Sequence, residues 1–170
     1  MLTLVLTALT ALQVAAPAPS RLASTPVAAV ASMPLPPVDA PADEYLARAR
    51  KAFDAGDFGV ARREFVIAAA LERDAGRLPV AASFGLSRVL FAQSNNKEAA
   101  QVLSELARDA AAKGDDNTEA RALADAIWLN RESNQRADVR NEAARLLTLM
   151  RGTSLSAETR RLIRETTTTS

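Results

Sequence analysis

The segment YLARARKAFDAGDFGVARREFVIAAALERDAG, residues 45–76, sets the architecture. Small and apolar residues recur every three or four positions on both sides of Gly56-Asp57: Tyr45, Ala49, Ala52 and Phe53 before it, Ala61, Phe65 and Ala68 after it. That spacing marks one face of an α-helix on each side of a turn, so the two helices fold back on each other as a hairpin. Asp57 is placed to cap the second helix and Gly76 to end it. A second stripe of Val60, Ile67 and Leu71 makes this helix apolar on two sides, which places it between neighbours.

A related pair follows about 38 residues later, after Gly76 and Pro79. Its front helix carries Leu86, Val89, Leu90 and Phe91. A turn at Ser94-Asn95-Asn96 leads to a rear helix with Ala99, Val102, Leu103 and Leu106, closed by Gly114. Asn95 followed by Glu98 predicts a capping box, and Asp116 followed by Glu119 predicts another at the start of a third pair. There Leu86, Leu90 and Phe91 recur as Leu123, Ile127 and Trp128, a shift of 37. The third rear helix lags three residues further, which predicts an extra turn or a longer loop around residues 131–136. Gly152 ends it, Ser156 caps a short last helix carrying Leu162 and Ile163, and residues 166–170 read as a frayed tail. Recurrence at this period reads as an array of stacked helix pairs.

Composition supports the class and removes most chemistry. Apolar residues make up 48% but aromatics only 4%, an Ala/Leu-rich helical profile. With no Cys and no His, disulfides, Cys nucleophiles, imidazole bases and Cys/His zinc sites are excluded together. No Gly-rich phosphate loop, nucleophile elbow or paired-carboxylate motif occurs, so the expectation is a non-enzyme without catalytic residues or cofactor. Asp115-Asp116-Asn117 lacks the spacing of a calcium loop and reads as a helix start, so no metal site is expected. The net charge of +1 comes from 21 basic and 20 acidic residues that are interspersed, which gives no field for nucleic acid or an anionic membrane. Glu142, Glu158 and Glu165 offset the basic C-terminal run of Arg136, Arg140, Arg145, Arg160, Arg161 and Arg164.

The chain before the hairpins has two parts. Residues 1–16 form an uncharged apolar run ending in small residues, the pattern of a secretory signal, although only the terminal amine supplies positive charge ahead of it. Cleavage after Ala16, or later after Ala31, would leave an exported periplasmic or secreted protein; an uncleaved run would anchor it instead. Residues 17–42 hold seven of the eight prolines and read as a Pro/Ala-rich disordered linker. The helical domain is expected over residues 43–165, with no membrane insertion of its own.

The ordered part resembles a tetratricopeptide repeat array over about residues 43–151. The residues that carry the likeness are Ala49, Gly56-Asp57-Phe58, Ala61, Phe65 and Ala68 in the first pair, and Leu86, Ser87 and Ala99 in the second. The resemblance implies an all-α fold: a short right-handed solenoid of three antiparallel pairs plus a C-terminal capping helix. It also implies a concave side lined by the front helices, where the family pattern places Arg50 and Phe53, then Phe84, Arg88 and Phe91, then Arg121, Asp125 and Trp128. Arg beside aromatics there would hold a protein or peptide partner with acidic residues or a free C-terminal carboxylate. The carboxylate-clamp form of these repeats uses Lys and Asn at positions where this chain has Leu46 and Arg50. Two competing readings stand beside this one. The aromatics are core between pairs and the arginines a solvated face, or the domain is a structural subunit of a cell-envelope assembly, or a self-associating bundle, that uses no groove. The sequence leaves the oligomeric state open.

Overall fold

The computed structural model describes residues 41–168; the signal-like segment 1–16 and residues 17–40 of the linker lie outside the described residues. Seven helices follow one another: α1 (Ala42–Asp54), α2 (Phe58–Asp74), α3 (Val80–Ala92), α4 (Asn96–Ala112), α5 (Asp116–Glu132), α6 (Arg136–Arg151) and α7 (Ala157–Thr168), with no strand among the described residues. They form the expected all-α array. α1 pairs with α2, α3 with α4 and α5 with α6; α2 packs on α3, α4 on α5, and α7 on α5.

One turn device joins five successive helices to the next. Gly56, Gly76, Ser94, Gly114 and Asn134 all take the left-handed conformation, with φ between 58° and 78°. In each case the following amide donates back to the carbonyl five residues earlier (Asp57 to Ala52, Arg77 to Glu72, Asn95 to Leu90, Asp115 to Ala110 and Gln135 to Asn130) at 2.8–3.0 Å. This is the Schellman closure, which satisfies the carbonyls left over at a helix end and reverses the chain within a few residues. Glycine meets the positive φ without strain. Asn134 belongs to the residue types that tolerate it, and Ser94 adopts it with a Cβ in place.

Several local expectations change. Asp57 caps α2 as expected, accepting from the Val60 amide at 3.1 Å. The side chain of Asn95 makes no cap bond and instead donates to Glu98, so no capping box forms at α4. At α5 the cap is Asp115, one residue before the expected Asp116, accepting from the Thr118 amide at 3.0 Å. Glu119 is drawn away from the helix start into an ion pair with Arg145 at 2.5 and 2.8 Å. The three-residue lag is an extra turn at the end of α5 rather than a longer loop, because the Asn134 turn has the same form as the others. The added turn carries Asn130, which is buried and donates to Glu142 at 3.0 Å. The first helix begins at Ala42, and α7 continues through Thr168 where a frayed tail was expected from residue 166. Ser156 caps α7, accepting from the Thr159 amide at 3.1 Å.

Small residues let the pairs close. Ala49, Ala61, Ala68 and Ala82 are fully buried around Tyr45, Phe65 and Val89 in the first core cluster. Leu90, Leu103, Ala126 and Leu129 form the middle cluster. Leu106, Leu123, Ile127, Leu146 and Leu149 form the third, to which Leu155 of the α6–α7 connection and Ile163 of α7 are added. Outside the core, the rear helices are tied by charge: Arg62 of α2 to Glu98 of α4 at 2.5 Å, and Arg73 of α2 to Asp109 of α4 at 3.5 Å. Ser104 of α4 donates to Glu142 of α6, and Lys113 to the Gly76 carbonyl.

Candidate functional site

The front helices α1, α3 and α5 each carry groove residues at helical spacing. Arg50 and Phe53 lie three apart on α1; Phe84, Arg88 and Phe91 lie four and three apart on α3; Arg121, Asp125 and Trp128 repeat that interval on α5. Such intervals put side chains on one helix face. Stacking of the pairs then brings all eight to the wall of one cavity of about 500 Å³.

Within it, arginines and rings alternate across the helices. The Arg88 guanidinium of α3 sits 5.3 Å from the ring centroid of Phe53 on α1, and that of Arg121 on α5 sits 4.6 Å from Phe84 on α3. Each cation thus reaches back to the ring of the preceding front helix, an attraction of about 0.5–1 kcal/mol at an exposed site. A guanidinium carries five N–H donors, so one that lies over a ring can still offer some of them to a planar acceptor. Phe91 and Trp128 meet at 5.2 Å and 59°, closing the array of rings between α3 and α5. Phe91 keeps 45% of its surface exposed, and Phe53, Phe84 and Trp128 are half-buried. The aromatics are therefore partly core and partly wall.

Arg62, Arg73 and Arg145 on the rear helices each face a carboxylate within 3.5 Å, whereas among the described residues Arg50, Arg88 and Arg121, like Arg108, Arg131 and Arg151 outside the cavity, form no ion pair. Asp54 and Asp125 line the same cavity. Burial pushes the Asp125 carboxyl above the usual carboxylate range, against the opposing pull of the Arg121 charge and of the Thr166 hydroxyl of α7. No group of three or more acidic side chains placed to hold a metal ion occurs among the described residues.

The floor of the cavity lies outside the sequence expectation. Phe65 of α2, Leu103 of α4 and Leu129 of α5 line the cavity from below the front-helix residues, all of them at most 4% exposed. Phe65 reads from sequence as the centre of the first hairpin, and it is also that. It reaches the cavity because α3 carries glycine at position 85: a Cβ there would lie 2.3 Å from two ring atoms of Phe65. An isolated glycine inside an apolar helical pattern, with no turn to serve, is the signal that marks such a close approach.

Fold and cavity together define a class: an all-α array of stacked helix pairs with an arginine- and aromatic-lined recess on its front helices. No family model, curated protein or solved structure matches the chain. Among the described residues no helix is long and apolar enough to cross a membrane.

Proposed function

We propose that the chain is an exported, non-enzymatic adaptor of divergent tetratricopeptide type, which holds a carboxylate-bearing segment of a protein partner against its front helices. The observation that carries this reading is the set of three guanidiniums on successive front helices, sharing one cavity and lacking ion-pair partners among the described residues. Desolvating them without an anion would be unfavourable, and a partner carboxylate supplies the missing bidentate acceptor. The rings beside them offer rigid apolar area at small entropic cost. Because the guanidiniums are exposed, salt screens the contact, and binding is expected to weaken as salt is added.

Arg88 occupies the middle of the row and gives the test. Full-length chain with Arg88→Glu should capture at least tenfold less partner from the native cell envelope than wild type. It should lose more than Arg50→Glu or Arg121→Glu, with helical content unchanged and stability lowered by no more than about 1 kcal/mol, the size of the lost contact with the Phe53 ring. Equal capture by all four proteins would instead favour a structural subunit whose outer faces make the assembly contacts. Export rests on the apolar run 1–16 and is checked separately. The N-terminal mass of protein from the native host should lack at least residues 1–16, and an intact Met1 in a cytoplasmic pool would remove this part of the reading.

A further inference from the structure

The three rear helices share one register. Ala61, Phe65 and Ala68 of α2 recur as Ala99, Leu103 and Leu106 of α4 after a shift of 38, and as Val139, Ala143 and Leu146 of α6 after a further shift of 40. The same two shifts carry a second stripe, Arg62, Val66, Ala69 and Arg73 of α2, onto Arg140, Ala144, Leu147 and Arg151 of α6. Steps of four, three and four residues keep side chains on one side of a helix. Both helices therefore present arginine, two apolar side chains and arginine in a line.

On α2 that line is covered. Arg62 meets Glu98 of α4 at 2.5 Å and Arg73 meets Asp109 of α4 at 3.5 Å, while Ala69 is 4% exposed within the first core cluster. Glu98 and Asp109 stand 11 residues apart, the interval that also separates Arg62 from Arg73. Both pairs run in chain order, so α4 lies parallel to α2 with its carboxylates spaced to match. On α6 the equivalent line is open among the described residues. Leu147 is 56% exposed, Arg140, Ala144 and Arg151 are exposed, and neither arginine forms an ion pair. α7 follows α6 as α3 follows α2, yet it packs on α5 and is tied to α6 only at its end, where Arg160 donates to the carbonyls of Met150 and Gly152.

We infer that this outer line of α6 docks a helix of a partner protein that runs parallel to α6 and carries two carboxylates 11 residues apart, with an apolar side chain between them against Leu147. The interval spans about 16 Å along a helix axis. Carboxylates at that spacing meet Arg140 and Arg151 together and so fix both register and direction. A second copy stacked end to end does not meet the requirement, because the α2 residues in register with Glu98 and Asp109 are Val60 and Leu71. The surface lies on a rear helix and is independent of the recess on the front helices.

The probe is a fluorescently labelled peptide of the α4 sequence, residues 95–113, in which Val102 lies between Glu98 and Asp109 on the same side. An isolated helix of this length is marginal in water, so the peptide is stapled on its opposite side. In the full-length chain α4 already covers the α2 line, which leaves α6 as the predicted site. Titrated by anisotropy, the peptide should bind, and Glu98→Gln with Asp109→Asn in the peptide should weaken it about fivefold, as expected for two exposed ion pairs. Exchanging Asp109 with Ala111 in the peptide should do the same. In the full-length chain, Leu147→Asp and the double change Arg140→Gln with Arg151→Gln should each weaken binding at least fivefold without altering the melting temperature, whereas Arg62→Gln and Arg88→Glu should leave it within twofold. No binding at millimolar peptide, or binding indifferent to the peptide carboxylates or to the α6 substitutions, would overturn the inference. So would a loss with Arg62→Gln equal to that of the α6 variants, which would mean that the peptide exchanges with α4. A dimer of the wild-type chain in sedimentation, lost on Arg140→Gln with Arg151→Gln, would put a second copy on α6 and overturn its assignment to another protein.

Discussion

Phe65→Ala is expected to destabilise the domain by about 3–5 kcal/mol, the usual cost of deleting a buried aromatic ring, and to lower the melting temperature by roughly 10–20 °C. The ring is 4% exposed and packs in the cluster that contains Tyr45, Ala49, Ala61, Ala82 and Val89. Its neighbour Gly85 makes the expectation sharper. In the wild-type protein a Cβ at 85 would meet the ring at 2.3 Å, so Gly85→Ala should cost about 1–3 kcal/mol by overpacking. With the ring already removed, those three contacts are gone and the same Gly85→Ala change gains helix propensity of about 1 kcal/mol. The sign of the glycine substitution should therefore reverse between the two backgrounds, a coupling that denaturant unfolding of the four proteins measures. A Phe65→Ala cost below about 1 kcal/mol would mean that the ring is not where the first hairpin closes on α3.

Removal of residues 153–170 is expected to produce the next largest loss. Leu155 and Ile163 are buried in the third core cluster, and losing the burial of two such side chains costs about 3–6 kcal/mol before the ordering entropy of α7 is deducted. The segment is also tied by polar bonds: Arg160 donates to the carbonyls of Met150 at 2.8 Å and Gly152 at 2.5 Å, and Asn117 accepts from the Ser156 amide at 2.8 Å. In an array where each pair touches only its neighbours, the damage should stay local. Hydrogen exchange should show α5 and α6 losing protection while α1 and α2 retain theirs. A truncated chain that melts with the wild type would show that α7 contributes nothing to the third pair.

Much of the cavity wall is legible in the sequence, for a local reason. Phe84, Arg88 and Phe91, like Arg121, Asp125 and Trp128, are spaced by four and three residues, and that interval alone assigns them to one face of one helix. The turns are legible in the same way wherever glycine stands, at Gly56, Gly76 and Gly114. At Ser94 and Asn134 the same closure forms without glycine, and spacing does not distinguish an extra turn from a longer loop near residues 131–136. Capping is less transparent. Asn95 and Glu98 have the spacing of a reciprocal cap, yet their side chains bond each other, and Glu98 also accepts from Arg62 of the preceding rear helix. A contact between elements outcompetes the local one, and spacing along the chain carries no information about it.

The helices, their pairing into hairpins and the face of each front helix that carries arginine and aromatic residues are all written in the sequence. They follow from hydrophobic periodicity and turn chemistry, which are properties of neighbouring residues. Three further relations exist only in the packed molecule: Arg88 lies over Phe53 and Arg121 over Phe84, α7 lies on α5, and Phe65 reaches beneath Gly85 to floor the cavity. Those relations depend on the depth and register at which one packed surface meets another, and close packing sets both through side chains far apart in the chain.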